Sequence, residues 1–203
     1  MKDNATTYKN AATLRKGGLR RGWSLSIEQI GTMTLPDGRL SAGDPSQNLF
    51  GNGLPPMLTL QAEPGAYPLE VSFAEKRGDR RIAAVLLNLS TSDLVSWEKV
   101  SLSDNGSSPA FGYEIAVDSA HAYLAAFTAA RLIASSGASL VDIATRGQRG
   151  ESFDWGEVPT PNAGNLFFFS TGMGDGSYPL FLGRDGAGLP VVLIVDFLMI
   201  GKP

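Results

Sequence analysis

Glycine and proline recur so often along this chain that a bundle of long helices cannot be built from it. The 24 glycines and 12 prolines are spread over 203 residues. Glycine gives up the most backbone entropy in a helix and proline supplies no N–H there, so both residues punctuate short strands instead. A hydrophobic content of 43% is enough for one sizeable core, and the length suits one domain.

The formal charge is only −3, but it is unevenly placed. Lys2, Lys9, Arg15, Lys16, Arg20 and Arg21 stand in the first 22 residues against the single acid Asp3. Residues 1–22 therefore read as a basic, mobile or weakly helical arm, and 23–203 as a single acidic body. Such a body repels a phosphate backbone and argues against nucleic-acid binding. Arg20 and Arg21 do not open an export signal, because the apolar run after them stops at Glu28. The apolar stretch LPVVLIVDFLMI, residues 189–200, is too short to cross a bilayer and carries Asp196, so no membrane partner is expected. The absence of cysteine rules out disulfides, thiolate metal sites and a cysteine nucleophile, and favours a cytoplasmic protein. With His121 as the only histidine, at most one Ser-His-Asp arrangement is possible.

Along the chain, alternation of apolar and polar residues predicts strands at about 27–35 and 39–42, with Pro36-Asp37-Gly38 as a hairpin turn. Residues 45–58 read as loop. Strands follow near 67–74 and 80–90, joined by the turn KRGD at 76–79, and the second of these is apolar on both faces, as a central strand would be. A further strand is expected at about 94–100. The alanine-rich segment DSAHAYLAAFTAARLIASSG contains no internal glycine or proline and predicts a helix over about 119–136, capped by Asp118 or Ser119 and ended by Gly137. Mostly loop is expected over 138–163, with a short helix near 139–145. NLFFFSTG, SYPLFLG and GLPVVLIVDFLMI then read as a three-strand meander with RDGAG, 184–188, as its last turn. The fold class expected is α+β: mainly antiparallel strands in a sheet or sandwich, with one principal helix.

Four blocks of the chain carry a resemblance. GTMTLPDGRLSAGDP at 31–45, PGAYPLEVSF with GDRRIAAVLLNLS at 64–73 and 78–90, FGYEIAVDSAHAYLA at 111–125 and STGMGDGSYPLFLGRDGAGLPVVLIVDF at 170–197 together resemble the bacterial family of unknown function called DUF4241. The third block departs from the family pattern V-D-x-G, because Ala120 stands where the glycine is usual and His121, Ala122 and Tyr123 follow it. The resemblance implies no reaction.

The densest chemical signal is GMGDGSY, 172–178. Gly174, Asp175, Gly176 and Tyr178 form either a rigid corner, with the phenol bonded to a nearby carbonyl, or a ligand-facing nest of N–H groups with Asp175 orienting a polar partner. It is neither a dinucleotide fingerprint nor a P-loop. Asp196 sits in an apolar strand, where a carboxylate must be paired, protonated or near the end of the covered region, and Arg80 or Arg81 is the expected partner. Asp44 and Asp118 read as a turn former and a helix cap. If Asp44, Asp118, Asp175 and Asp196 converged, they would suit a divalent cation or acid–base work, although no cofactor is required by the sequence. Trp155 is a candidate partner anchor if exposed.

Two functions follow as expectations. The first is a non-enzymatic intracellular protein-binding module, of which a toxin-immunity factor is one form, since the chain carries no established catalytic signature and an acidic body suits a basic partner. The second is a carboxylate-dependent hydrolase, with or without a metal, in which Asp175 positions a metal or water, Tyr178 donates to a leaving oxygen and Arg81 binds an anionic group, with Asp196 a further catalytic candidate.

Overall fold

The computed structural model describes residues 11–20, 22–49, 55–103, 112–137, 148–149 and 155–200. Within them the chain folds as two packed antiparallel sheets. The first runs in the order β1 (Gly18–Arg20), β2 (Trp23–Leu35), β5 (Gly65–Lys76), β6 (Asp79–Asn88), β15 (Pro190–Asp196), β14 (Gly176–Arg184). Along its outer edge β14 pairs with β9 (Glu114–Val117) at residues 176–179 and with β7 (Ser96–Lys99) at 181–184. The second sheet runs β11 (Gln148–Arg149), β12 (Trp155–Thr160), β13 (Gly164–Ser170), β10 (His121–Ala126), β3 (Arg39–Gly43), β4 (Met57–Gln61), β8 (Leu102–Ser103). Among the described residues three helical segments accompany them: α1 over 11–16, α2 (Pro45–Asn48) and α3 (Phe127–Ser135).

Alternation along each strand builds three apolar layers. Between the sheets lie Met33, Val71, Phe73, Val85, Leu180 and Val195 from one side and Leu40, Leu124, Phe167 and Phe169 from the other. On the outer face of the first sheet, Leu86, Val192 and Ile194 pack with Ala11 and Leu14 of α1 and with Met199 and Ile200. On the outer face of the second, Tyr123, Ala125, Leu166 and Phe168 are covered by Ala130 and Ile133 of α3. β6 is thus buried on both faces, as its apolar run predicts, and the α+β, mainly antiparallel fold class holds.

Several local expectations are corrected. The helix expected over 119–136 begins only at Phe127, because 121–126 form β10 in the middle of the second sheet. Alanine favours a helix intrinsically, but here Ala122 pairs with Phe169 and Ala125 with Leu166, and small residues in β10 accommodate the bulk of β13 on both faces. Asp118 and Ser119 are accordingly not its caps, and His121 opens a strand. Pro36-Asp37-Gly38 does not close a hairpin: β2 pairs with β5 and β3 with β10 and β4, so the turn carries the chain from one sheet to the other. Gly38 has φ +72, and a Cβ there would sit 1.9 Å from the Ala62 carbonyl oxygen. The meander is also split, since β13 belongs to the second sheet while β14 and β15 form a hairpin in the first. Residues 45–48 are a helical turn rather than loop. Of the basic segment expected as an arm, the described residues 11–16 are helical, with Ala11 and Leu14 buried. The helix expected near 139–145 lies outside the described residues.

Candidate functional site

Asp44, Asp118 and Asp175 come together at one end of the sandwich, where β3, β9, β13 and β15 end and β10 and β14 begin. The centre of this corner is Asp44, which has no exposure. Its Oδ1 accepts from the Ser46 N–H at 2.7 Å, the Ser46 hydroxyl at 2.6 Å and the Ser119 hydroxyl at 2.8 Å. Its Oδ2 accepts from the N–H groups of Asp118 and Ser119 at 2.7 and 2.9 Å. Burial pushes the Asp44 pKa up, but the bonds from Ser46, Asp118 and Ser119 outweigh it and hold the carboxyl below its ordinary value of 3.8. Asp44 is therefore an ionised clamp, holding the start of α2 to the bend at 118–120.

That bend is held from the other side as well. Asp175 Oδ1 accepts from the Ala120 N–H at 2.9 Å, and the Ala120 carbonyl accepts from the Thr171 N–H at 3.1 Å. Ala120 itself has φ +55, the conformation glycine adopts without strain. The resemblance noted in the sequence implies glycine at this position, and the backbone geometry here is one that glycine fits. Asp118 Oδ2 accepts from Gln47 Nε2.

GMGDGSY forms a bend over 172–175 before β14 starts at Gly176. The Gly174 carbonyl accepts from both the Thr171 hydroxyl at 2.5 Å and the Tyr178 hydroxyl at 2.6 Å. Burial raises the Tyr178 pKa, the Thr171 bond lowers it and the nearby Asp175 raises it; the net rise keeps the phenol protonated at neutral pH. Gly172, at φ +62, leaves no room for a side chain, since a Cβ would meet the Ile82 carbonyl oxygen at 2.6 Å. Arg81 reaches the same loop, with Nη1 donating to the Gly172 carbonyl at 3.0 Å while Nε donates to Asp79 at 2.8 Å.

The expected partner of Asp196 is not found. Arg80 pairs with Glu28 at 2.6 Å and Arg81 with Asp79 at 2.8 Å, and among the described residues no cation pairs with Asp196. It is 2% exposed, on the outer face of the first sheet opposite Ala84, and Oδ1 accepts from the Leu198 N–H at 2.8 Å. Burial, only partly offset by that bond, pushes its pKa up to about 7. It does not join the other three aspartates, so the four do not converge.

A Ser-His-Asp relay is not formed either. His121 Nδ1 meets the Ser119 carbonyl at 2.7 Å, so that nitrogen carries the proton, and the carboxylate of Asp44 is bonded to the serine rather than to the imidazole. Among the described residues no group of three or more His, Cys, Asp or Glu side chains is placed to hold a metal ion. Trp155 is only half-exposed and leans on Phe167, with ring centroids 6.4 Å apart. A recess of about 90 Å³ lies beside the corner, lined by Gly43, Gln47, Asn48, Glu114 and Ala116 among others. It is well below the roughly 300–1,000 Å³ of a small-molecule site.

Sequence reasoning named the residues of this corner but missed Ser46, Ser119 and Thr171 as its internal donors. Their signal was weak, because a serine or threonine becomes informative only once its acceptor is known. No described helix is long and apolar enough to cross a membrane. No curated protein and no solved structure matches the chain. The family model described as a protein of unknown function, DUF4241, matches residues 33–195, which span the clamp, the bend and the glycine corner, and the chain belongs to that family.

Proposed function

We propose that the protein is a non-enzymatic intracellular protein-binding module whose docking face is the outer side of this corner. The observation that carries the reading is the division of labour among its polar groups. On the inner side the groups that chemistry would require are committed to one another: the Tyr178 hydroxyl to Gly174, and Asp44 to five donors. On the outer side Met173 is 66% exposed and Tyr113 is 52% exposed, near the two ends of β9. Glu114, Asp118 and Asp175 are exposed around them, and none joins an ion pair among the described residues. Apolar anchors among uncompensated acids suit a basic protein partner.

The test is quantitative affinity capture with the wild type and with Asp118→Lys/Asp175→Lys, followed by reconstitution with the purified partner. The expected result is a stoichiometric complex weakened at least about tenfold by the double reversal, about 1.4 kcal/mol or more. A complex indifferent to the reversal, or no partner from native lysate, would remove the reading.

A carboxylate-dependent, metal-assisted hydrolase at the same corner is the competing reading, favoured by Arg81 lying against Gly172 beside Asp175 and Tyr178. It requires Tyr178 to release Gly174 and donate to a leaving oxygen. Tyr178→Phe separates the two: a structural phenol predicts a stability loss of about 1 kcal/mol with partner binding intact, whereas hydrolysis of a panel of esters and phosphoesters that disappears in this variant favours the enzyme.

A further inference from the structure

We infer that Met173 is a site of oxidation, converted to methionine sulfoxide by a peroxide, with Arg81 positioned to receive the new oxygen. This goes beyond partner binding and does not depend on it. The observations concern presentation and a donor. Gly174, next to Met173, is held from inside by Thr171 and Tyr178, and the Met173 N–H is itself bonded to the Thr171 carbonyl at 2.6 Å. A backbone tied down on its inner side sets the thioether outward, at 66% exposure. Met33 and Met199 are 0% and 6% exposed and Met57 is half-buried. The Met173 sulfur is also 4.0 Å from Arg81 Nη1, which carries one N–H toward the Gly172 carbonyl and has a second to give.

A thioether is a weak acceptor and a sulfoxide a strong one. In the oxidation the sulfur lone pair attacks one oxygen of hydrogen peroxide, the O–O bond breaks and an S–O bond forms, and the proton of the transferred hydroxyl passes to the departing hydroxide, which leaves as water: the sulfur is oxidised by two electrons and the peroxide reduced by two. An oxygen placed on the Arg81 side of the sulfur falls within hydrogen-bonding range of Nη1, so the product is held rather than expelled.

The experiment is a hydrogen peroxide time course on the full chain with peptide mapping by mass spectrometry, together with thermal unfolding of the wild type, Arg81→Gln and Met173→Leu before and after treatment. Met173 is expected to oxidise at least about tenfold faster than Met33 and Met199. The singly oxidised wild type should unfold no lower than the reduced protein, within about 2 °C, and Arg81→Gln should lose stability on the same oxidation. Met173→Leu should show no change at matched exposure. Comparable rates at Met173, Met33 and Met199 would overturn the site, and identical responses of wild type and Arg81→Gln would overturn the part assigned to Arg81.

Discussion

Asp44 shows how much one buried carboxylate can organise when its donors come from two segments distant in sequence, Ser46 on one side and Asp118 and Ser119 on the other. Replacing it with alanine leaves the N–H groups of Ser46, Asp118 and Ser119 without their acceptor, and a buried unsatisfied donor costs about 1–3 kcal/mol. Asp44→Ala is therefore expected to lower stability by about 3 kcal/mol, read as a shift of the urea midpoint at unchanged slope. The pH dependence has a definite sign. The folded pKa lies below 3.8, so the stabilisation is fully present above that value and is lost as the pH falls through the folded pKa; the wild type should be more stable than Asp44→Asn above this window, and the slopes of their stability against pH should differ only within it. Ala120 presents the opposite case. A non-glycine residue at φ +55 carries about 1–2 kcal/mol of strain, partly offset by the lower entropy of its unfolded chain. Ala120→Gly is expected to stabilise by up to about 1 kcal/mol, measured by the same unfolding curves.

At the scale of elements, the end of β15 is the clearest source of pH dependence near neutrality. The Asp196 pKa rises from 3.8 to about 7 on folding, so its contribution is intact below pH 4 and is lost progressively as the pH rises to 7. Stability should fall over that interval by up to about 4 kcal/mol from this group, and Asp196→Asn should flatten the dependence and be the more stable protein at pH 8. An equally steep profile in the variant would contradict this account. The crossing from β2 to β3 makes a second prediction. A side chain at Gly38 collides with the Ala62 carbonyl and forces an unfavourable φ, so Gly38→Ala is expected to cost about 2 kcal/mol or more, checked by thermal unfolding. The sheet order explains why: β2 and β3 leave this turn for different sheets, and the backbone at 38 must approach the Ala62 segment closely enough for the Ala62 N–H to bond the Gly38 carbonyl at 2.9 Å.

For the whole molecule, the two sheets place the ends of several distant segments side by side, and the corner is the product. If its outer face docks a basic partner, raising the salt concentration from 50 to 500 mM should slow association far more than it speeds dissociation, because screening acts on encounter between exposed charges. Rates from surface plasmon resonance would check this. Much of the local architecture was legible in the residues themselves. KRGD is a two-residue turn with Arg77 and Gly78 at φ 54 and 82, RDGAG closes the β14–β15 hairpin, and the doubly apolar β6 lies inside its sheet. Strand period and turn chemistry are properties of neighbouring residues, and they are set before the chain folds. What neighbouring residues do not encode is which strand becomes a partner. For this reason Pro36-Asp37-Gly38 resembles a hairpin while joining two sheets, and His121–Ala126 resembles a helix while forming a strand beside the phenylalanines of β13. The same limit governed the aspartates. Their presence at element ends was written in the chain, but only the packing of one sheet on the other joined Asp44 to residues 118 and 119, tied Asp175 to 120, and left Asp196 apart in an apolar layer, because contacts between segments far apart in sequence exist only once both are folded.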